Sequence, residues 1–441
     1  MKKIRYYFRL TTAFITRFKG LILLGVVFGV SFFFLLSIAL PLIMNEKPEY
    51  VGVSGRYRPD KLPNFILEMI GDGLTQINES GITEPSLATS WETPDKGKTW
   101  IFYLKEGSEW HDKVKLDSNT INYEFSDVTI SRPDEKTLVF NLQNPFSPFP
   151  SVVSKPTFRK GLVGTGDWKV ENITVAAEVV QEITLKNKEG KKIVYKFYPT
   201  LERTKLAYKL GEVNKISGVF NASPFESWNT AEVLKKANTK QVVTIFFNTR
   251  TEPFKDNKSL RQALAYSIDK RFFSEEKAIS PIYPKSWAYN PQVKPYEFDL
   301  DRAKNILGEI PEDSRNEIEI ELVTTPILLS IAERIEQDWN RVGIKTTVQV
   351  SSIIPSEFDA YLTILDIPDD PDQYSLWHST QIDTNISGYS NPRIDKLLEE
   401  GRIALDYEER RKIYLDFQRF LLEDLPATFL YHPVYYEISK K

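Results

Sequence analysis

The 441-residue sequence contains no cysteine and only three histidines, His111, His378 and His432. Without thiols there is no disulfide, no thiolate metal site, no cysteine nucleophile and no cysteine to carry a lipid. The histidines lie far apart and none forms an HExxH-type ligand pair, which removes the common zinc-enzyme patterns. No long basic run occurs beyond residue 19, and there is neither an internal repeat nor a low-complexity tract. A G-x-S-x-G elbow is missing, and the three glycines between Gly161 and Gly166 have no following lysine in P-loop register.

What is present describes a folded chain with an apolar leader. Hydrophobic residues at 41% and charged residues at 27% exclude wholesale disorder, and the length predicts two or three lobes with separate cores. Lys2, Lys3, Arg5, Arg9, Arg17 and Lys19 precede an uncharged stretch from Gly20 to Met44. That stretch exceeds the roughly 20 apolar residues that cross a bilayer, and a small-residue cleavage site is missing near Pro41 to Met44. The expectation is a cytoplasmic basic segment (1–19) and an uncleaved signal anchor (20–44), with everything after residue 45 extracytoplasmic. Removing those six cations from the 57 basic residues leaves 51 against 60 acidic ones, an excess of nine negative charges outside. Such a surface is unsuited to nucleic acid.

Further along, Thr99 to Leu104 and Thr137 to Leu142 read as two strands that pair, and Val242 to Asn248 as a buried strand. The period then changes: Leu260, Ala263, Leu264, Ser267 and Ile268 form a helical stripe, and Asp299 caps a helix burying Ala303, Ile306 and Leu307. Ile331, Ile335, Trp339 and Val342 form another stripe, closed by Gly343 in the left-handed region. A strand through Ile344 to Val350 follows directly, and Phe358 to Leu365 reads as the next. Asn391 and Asp406 cap two more helices, the second with Glu409 in a capping box. Helix followed at once by strand predicts an α/β chain.

These segments, in this order, resemble the bacterial extracellular solute-binding proteins of family 5, the oligopeptide, dipeptide and nickel substrate-binding proteins of ABC importers. The resemblance rests on Pro85-Ser-Leu-Ala-Thr-Ser-Trp-Glu92, Lys98-Thr-Trp-Ile-Phe-Tyr-Leu-Lys-Glu-Gly107 and Trp110-His-Asp112. It continues in Phe246-Phe-Asn-Thr249, Leu260-Arg-Gln-Ala-Leu-Ala-Tyr-Ser-Ile-Asp-Lys270, Asp370-Pro-Asp372, Gly388-Tyr-Ser-Asn-Pro392 and Leu430-Tyr-His-Pro433, and it spans nearly the whole chain after the apolar leader. Lys113 stands where the family has glycine, and residues 122–131 are short where many relatives insert helices. The resemblance implies a two-lobed periplasmic-binding-protein-like fold of type II, α/β, with a reduced extra domain, preceded here by the N-terminal transmembrane helix read from the apolar leader. Its first lobe would gather 45–76, 151–238 and 427–441, the extra domain 77–150, and the second lobe 239–426.

By the same resemblance the chain is no enzyme and needs no cofactor or metal. It would be a monomer that captures a short peptide between its lobes for ABC permease subunits. The peptide would lie as an added strand along Leu362 and Ile364, its ammonium paired with Asp366, with Trp377 and Tyr389 lining side-chain pockets. Asp369 and Asp370 stay open as alternatives to Asp366, because the loop is one residue longer than expected. Otherwise Asp369, Asp370 and Asp372 read as solvated loop acids. Trp110, His111 and Asp112 read as structural rather than as a charge relay. The spacing 366, 369, 370, 372 lacks the glycine and distal glutamate of an EF-hand, while a carboxylate pair for glycoside hydrolysis is defined only by distance in the fold. A membrane-anchored sensor or scaffold and a hydrolase of cell-wall fragments are the rival classes, and a nickel chelate, sugar or opine the rival ligands.

Overall fold

The computed structural model describes residues 2–43, 48–273 and 276–441. It begins with one long helix, Lys2–Ile43, bent at Phe18. Within it Phe14–Leu35, 22 residues, is long and apolar enough to cross a bilayer and packs against nothing else in the chain. The stretch therefore starts six residues before the expected Gly20 and takes in Arg17 and Lys19. Met44, the expected end of the span, and the first linker residues 45–47 lie outside the described residues.

Three larger sheets organise the remainder. The first has seven strands in the order Ala231–Ala237, Val434–Lys440, Lys215–Val219, Glu49–Ser54, Lys192–Tyr198, Val179–Asn187 and Trp168–Ala176. Glu49–Ser54 runs parallel to both its neighbours, and the helix Leu201–Leu210 packs close across it. A Cβ on Gly52 would come within 3.0 Å of Thr204 on that helix, so the small residue permits the close approach. The second sheet has five strands in the order Lys345–Val350, Glu319–Thr324, Ala360–Asp366, Gln241–Phe247 and Ala427–Tyr431. Its core gathers Phe246, Phe247, Leu264, Trp339 and Phe417.

Helix ends in this second lobe follow the local chemistry. Asp299 accepts from the Arg302 amide, Asn391 from Arg393 and Asp406 from Glu409, each cap satisfying an amide that the helix itself leaves open. Gly343, with φ +87°, ends the helix Leu329–Arg341 as expected.

The third sheet, four antiparallel strands ordered Ala88–Glu92, Thr99–Leu104, Thr137–Leu142 and Val128–Asp134, forms the small extra domain. Its core is aromatic, with Trp100, Phe102, Phe140 and Phe149, and Thr99–Leu104 pairs with Thr137–Leu142. The two main sheets exchange chain twice, at 238–240 and at His432–Pro433. One boundary differs from expectation: Ala427–Tyr431 pairs with Gln241–Phe247 in the second sheet, and only Val434–Lys440 returns to the first. All five residues of Ala427–Tyr431 are buried, the mark of a strand covered on both faces.

Candidate functional site

The two crossings are tied together. The Asn238 amide donates to the Pro433 carbonyl at 2.9 Å. His432, 1% exposed, places Nδ1 2.7 Å from the Gln241 carbonyl; a carbonyl only accepts, so the ring proton sits on Nδ1. Burial holds this imidazole below the ordinary histidine range. The Gln241 side chain then reaches both lobes: its Oε1 accepts from the Tyr435 hydroxyl and its Nε2 donates to Asp366 Oδ1 at 2.6 Å.

Asp366 ends the strand Ala360–Asp366. On one side that strand pairs along its full length with Gln241–Phe247. On the other, only Ala360, Tyr361 and Leu362 pair, with Leu322, Val323 and Thr324. Among the described residues no strand covers Thr363 to Asp366 on that side. Leu362, Ile364 and Asp366 share one face by strand alternation, and it emerges from the core step by step: Leu362 is buried, Ile364 half-buried and Asp366 exposed. The Leu362 side chain is thus core, and what the strand offers outward is backbone plus one carboxylate. These parallel strands all point their carboxyl ends toward the crossings, the end at which open α/β sheets take ligands.

Asp370 and Asp372 are buried rather than solvated, contrary to the sequence expectation, while Asp369 stays partly exposed but is paired. Asp370 receives a two-pronged contact from Arg410, Nη1 to Oδ2 at 2.9 Å and Nη2 to Oδ1 at 2.5 Å. Asp372 accepts from Arg402 Nε at 3.0 Å, and burial still pushes its carboxyl above the usual range. Asp369 pairs with Lys240 of the first crossing. Glu68, on the helix Asn64–Ile70 of the first lobe, faces the same pair; desolvation raises its carboxyl, Asp369 adds to the rise and Lys240 opposes it. Among the described residues Asp366 is the one loop aspartate whose carboxylate meets an amide rather than a cation.

Trp377 and Tyr389 stand elsewhere. Trp377 is 0% exposed, its ring 5.7 Å from Phe246 and its Nε1 donating to Gln373 Oε1 at 2.8 Å. The Tyr389 hydroxyl donates to Asp424 at 2.6 Å from a buried ring. Both are core residues of the second lobe and present no ring to the free edge. The short helix Tyr374–Trp377 turns its last side chain onto the sheet, where an indole fills space that solvent-facing placement would leave empty. His378 stacks on Tyr374 at 4.0 Å. Trp110, His111 and Asp112 each bond away from one another: Trp110 Nε1 to Thr120, His111 Nε2 to the Gly166 carbonyl, Asp112 to Arg159. The residues that sequence reasoning missed carry no local signal: Gln241 bonds Asp366 and Lys240 pairs with Asp369 across the crossing, Tyr435 reaches Asp366 only through Gln241, and Glu68 feels Asp369 and Lys240 from the first lobe.

Two lobes joined by two short crossings, with an uncovered strand edge opening beside them, define a two-lobed solute-binding architecture rather than a single-core domain. The chain belongs to the bacterial extracellular solute-binding proteins, family 5: the family model described as "Bacterial extracellular solute-binding proteins, family 5 Middle" matches residues 83–385, more than half of it. Among curated relatives, the oligopeptide-binding protein AppA of Bacillus subtilis is 23% identical over 475 residues, covering 89% of this chain and 86% of the relative. Among solved structures, NikZ from Campylobacter jejuni in complex with Ni(L-His) superposes with a TM-score of 0.73 at 21% identity, covering 89% of this chain and 94% of that one. Bacillus subtilis AppA in complex with a nonapeptide gives 0.66 at 21% identity, covering 90% and 95%. These likenesses establish the two-lobed α/β fold, and the family establishes a substrate-binding role.

Proposed function

We propose that this chain captures a short peptide as an added strand along Thr363 to Asp366, holds its ammonium with Asp366, and presents it to ABC permease subunits while tethered to the membrane by Phe14–Leu35. The observation that carries the reading is the strand end that lacks a neighbour on one side and finishes in an exposed carboxylate without a cation. Main-chain pairing is indifferent to the guest's sequence, while a carboxylate that has no cation of its own selects a free amino end. The names of relatives that bind oligopeptides agree with this reading. Binding needs no bond to be made or broken, so no catalytic residue is assigned.

The test is calorimetric titration of wild type and Asp366→Asn with paired peptides, one with a free amino end and one N-acetylated. A charge-assisted hydrogen bond contributes about 1.5–3 kcal/mol, so the free-amine peptide should weaken by roughly 10- to 100-fold in the variant while the acetylated one barely changes. Equal affinity of wild type and variant for the free-amine peptide would sink the reading.

A further inference from the structure

The chain enters the folded body at one end of the seven-stranded sheet, and the connection to the leading helix is short. Six steps of chain separate Ile43, where that helix ends, from Glu49, where the first strand begins, and extended backbone covers at most about 22 Å in six steps. The sequence carries no charge from Gly20 to Met44, so the apolar leader runs up to this connection. With Phe14–Leu35 in a bilayer, the Glu49 end of the sheet is held close to the lipid surface.

Strand directions set what else lies at that end. Glu49–Ser54, Lys192–Tyr198 and Lys215–Val219 run parallel and start there, and the helix Leu201–Leu210 crosses back between the last two, which brings its final turn down to the same end. Leu210 closes that turn with 67% of its surface exposed, and Leu206, one turn earlier, is 42% exposed. Lys440 ends the strand antiparallel to Lys215–Val219, and its Nζ lies 3.4 Å from where a Cβ on Gly211 would stand, next to Leu210. On the other flank Lys192 pairs with Lys186 one step beyond the level of Glu49, and the hairpin between them carries Lys188 and Lys191 further out. Glu171 takes Lys186 and Lys192, and Lys188 faces Asp167 at 3.6 Å. Lys169, Lys191, Lys209 and Lys440 form no ion pair among the described residues, against Glu189 and Glu212 as acids at this level without a cation, and Glu212 already accepts from the Tyr198 hydroxyl. The chain beyond residue 19 carries an excess of nine negative charges, so a cationic end with an exposed leucine runs against the trend of its surface. Apolar side chains that enter the acyl boundary and ammonium groups that meet lipid phosphates are what bind a protein to a membrane interface.

We infer that the Glu49 end of the first lobe docks on anionic phospholipid, with Leu210 in the interface and Lys191 and Lys440 against the headgroups. The inference rests on the reading that Phe14–Leu35 spans the membrane. The strand Val434–Lys440 runs from this end to the crossing at Pro433 in about 20 Å, so docking holds the crossings that far above the lipid and makes the first lobe the fixed base on which the second moves. Because the chain has no cysteine, a single one introduced by Leu210→Cys, or by Ile382→Cys in the second lobe where the side chain is 75% exposed, can carry a nitrobenzoxadiazole probe on the full chain in lipid nanodiscs. In nanodiscs of phosphatidylcholine mixed with phosphatidylglycerol the Leu210 probe should show the blue-shifted, long-lived emission of an apolar setting and be quenched by spin-labelled lipid, while the Ile382 probe stays water-like. Each lysine at an anionic surface favours contact about fivefold, so Lys191→Ala with Lys440→Ala should lower the docked-to-undocked ratio of lifetimes by about 25-fold. Phosphatidylcholine alone, or molar salt, should lower it as well. Water-like emission at both positions in a chain that sits in the nanodisc overturns the docking and leaves the anchor standing. An apolar signal at Leu210 that ignores the lipid charge and the two lysines overturns the anionic headgroup as the partner. A chain that does not enter nanodiscs overturns the anchor and the docking with it.

Discussion

The Asp370–Arg410 pair is a place where removing one side chain should cost heavily. Its partners have side-chain exposures of 16% and 10%, which puts it outside the regime of surface ion pairs and their contribution of about 0–1 kcal/mol. Replacing Arg410 with methionine leaves the Asp370 carboxylate without its cation and the Gly401 carbonyl without the Nε donor now at 2.9 Å. Breaking a buried pair from one side costs about 3–5 kcal/mol, whereas replacing both partners with apolar groups is close to neutral. The second lobe runs from Gln241 to Tyr431, roughly 190 residues, and for that size each kcal/mol shifts the melting temperature by about 2–4 °C. Arg410→Met should thus lower the second-lobe transition by about 6–20 °C, and Arg410→Met with Asp370→Leu should recover most of the loss. Differential scanning calorimetry of wild type, both single variants and the double variant closes the cycle. A single-variant shift under about 2 °C, or a double variant no better than the singles, would refute the assignment of a buried, mutually dependent pair.

Trp377→Ala should destabilise the second lobe by about 3–5 kcal/mol, as expected for emptying a fully buried indole site, while the affinity ratio between different guest peptides stays constant; a change in that ratio at constant stability would return Trp377 to the ligand. His432 titrates below the ordinary histidine range because it is buried, so the unfolded chain takes up its proton first as pH drops. The stability it lends is complete above about pH 6.5 and declines as pH falls from there through the folded-state value; His432→Gln should flatten that part of a melting-temperature profile, and an unchanged slope would show that another group is responsible. If Phe14–Leu35 is a retained anchor, the full chain should stay in the pellet when membranes are washed with alkaline carbonate, and release of an intact soluble chain would show that it is not.

Elements whose stabilising contacts are local could be read directly. The caps at Asp299, Asn391 and Asp406 lie two or three residues from the amides they satisfy, and the alternation in Thr99–Leu104 reports a sheet with one buried face. What could not be read depends on partners far along the chain. Ala427–Tyr431 belongs to the second sheet because Gln241–Phe247, some 180 residues earlier, lies beside it. Asp370 is a paired rather than a solvated acid because Arg410 comes back from a later helix. Trp377 and Tyr389 carry the aromatic signature of a pocket wall, yet an aromatic in the core has the same one, and only packing tells them apart.

The crossings also determine how a guest at Asp366 would be felt by the other lobe. Gln241 is bonded on one side to Asp366, in the second lobe, and on the other to Tyr435, on a strand of the first. An ammonium arriving at Asp366 would share with the Gln241 amide a carboxylate of which only Oδ1 is now engaged, and a cation is the stronger partner. If Gln241 yields that oxygen it also loses the orientation that serves Tyr435, whose hydroxyl is buried enough, and close enough to Asp366, to be pushed up to about 12. A guest that displaced Gln241 from Asp366 would in this way also disturb its bond to Tyr435 in the first lobe, through one side chain at the chain crossing. A ligand moves a two-state hinge only as far as its contacts differ between the states. Gln241, bonded to both lobes, is a side chain whose contacts such a difference would change.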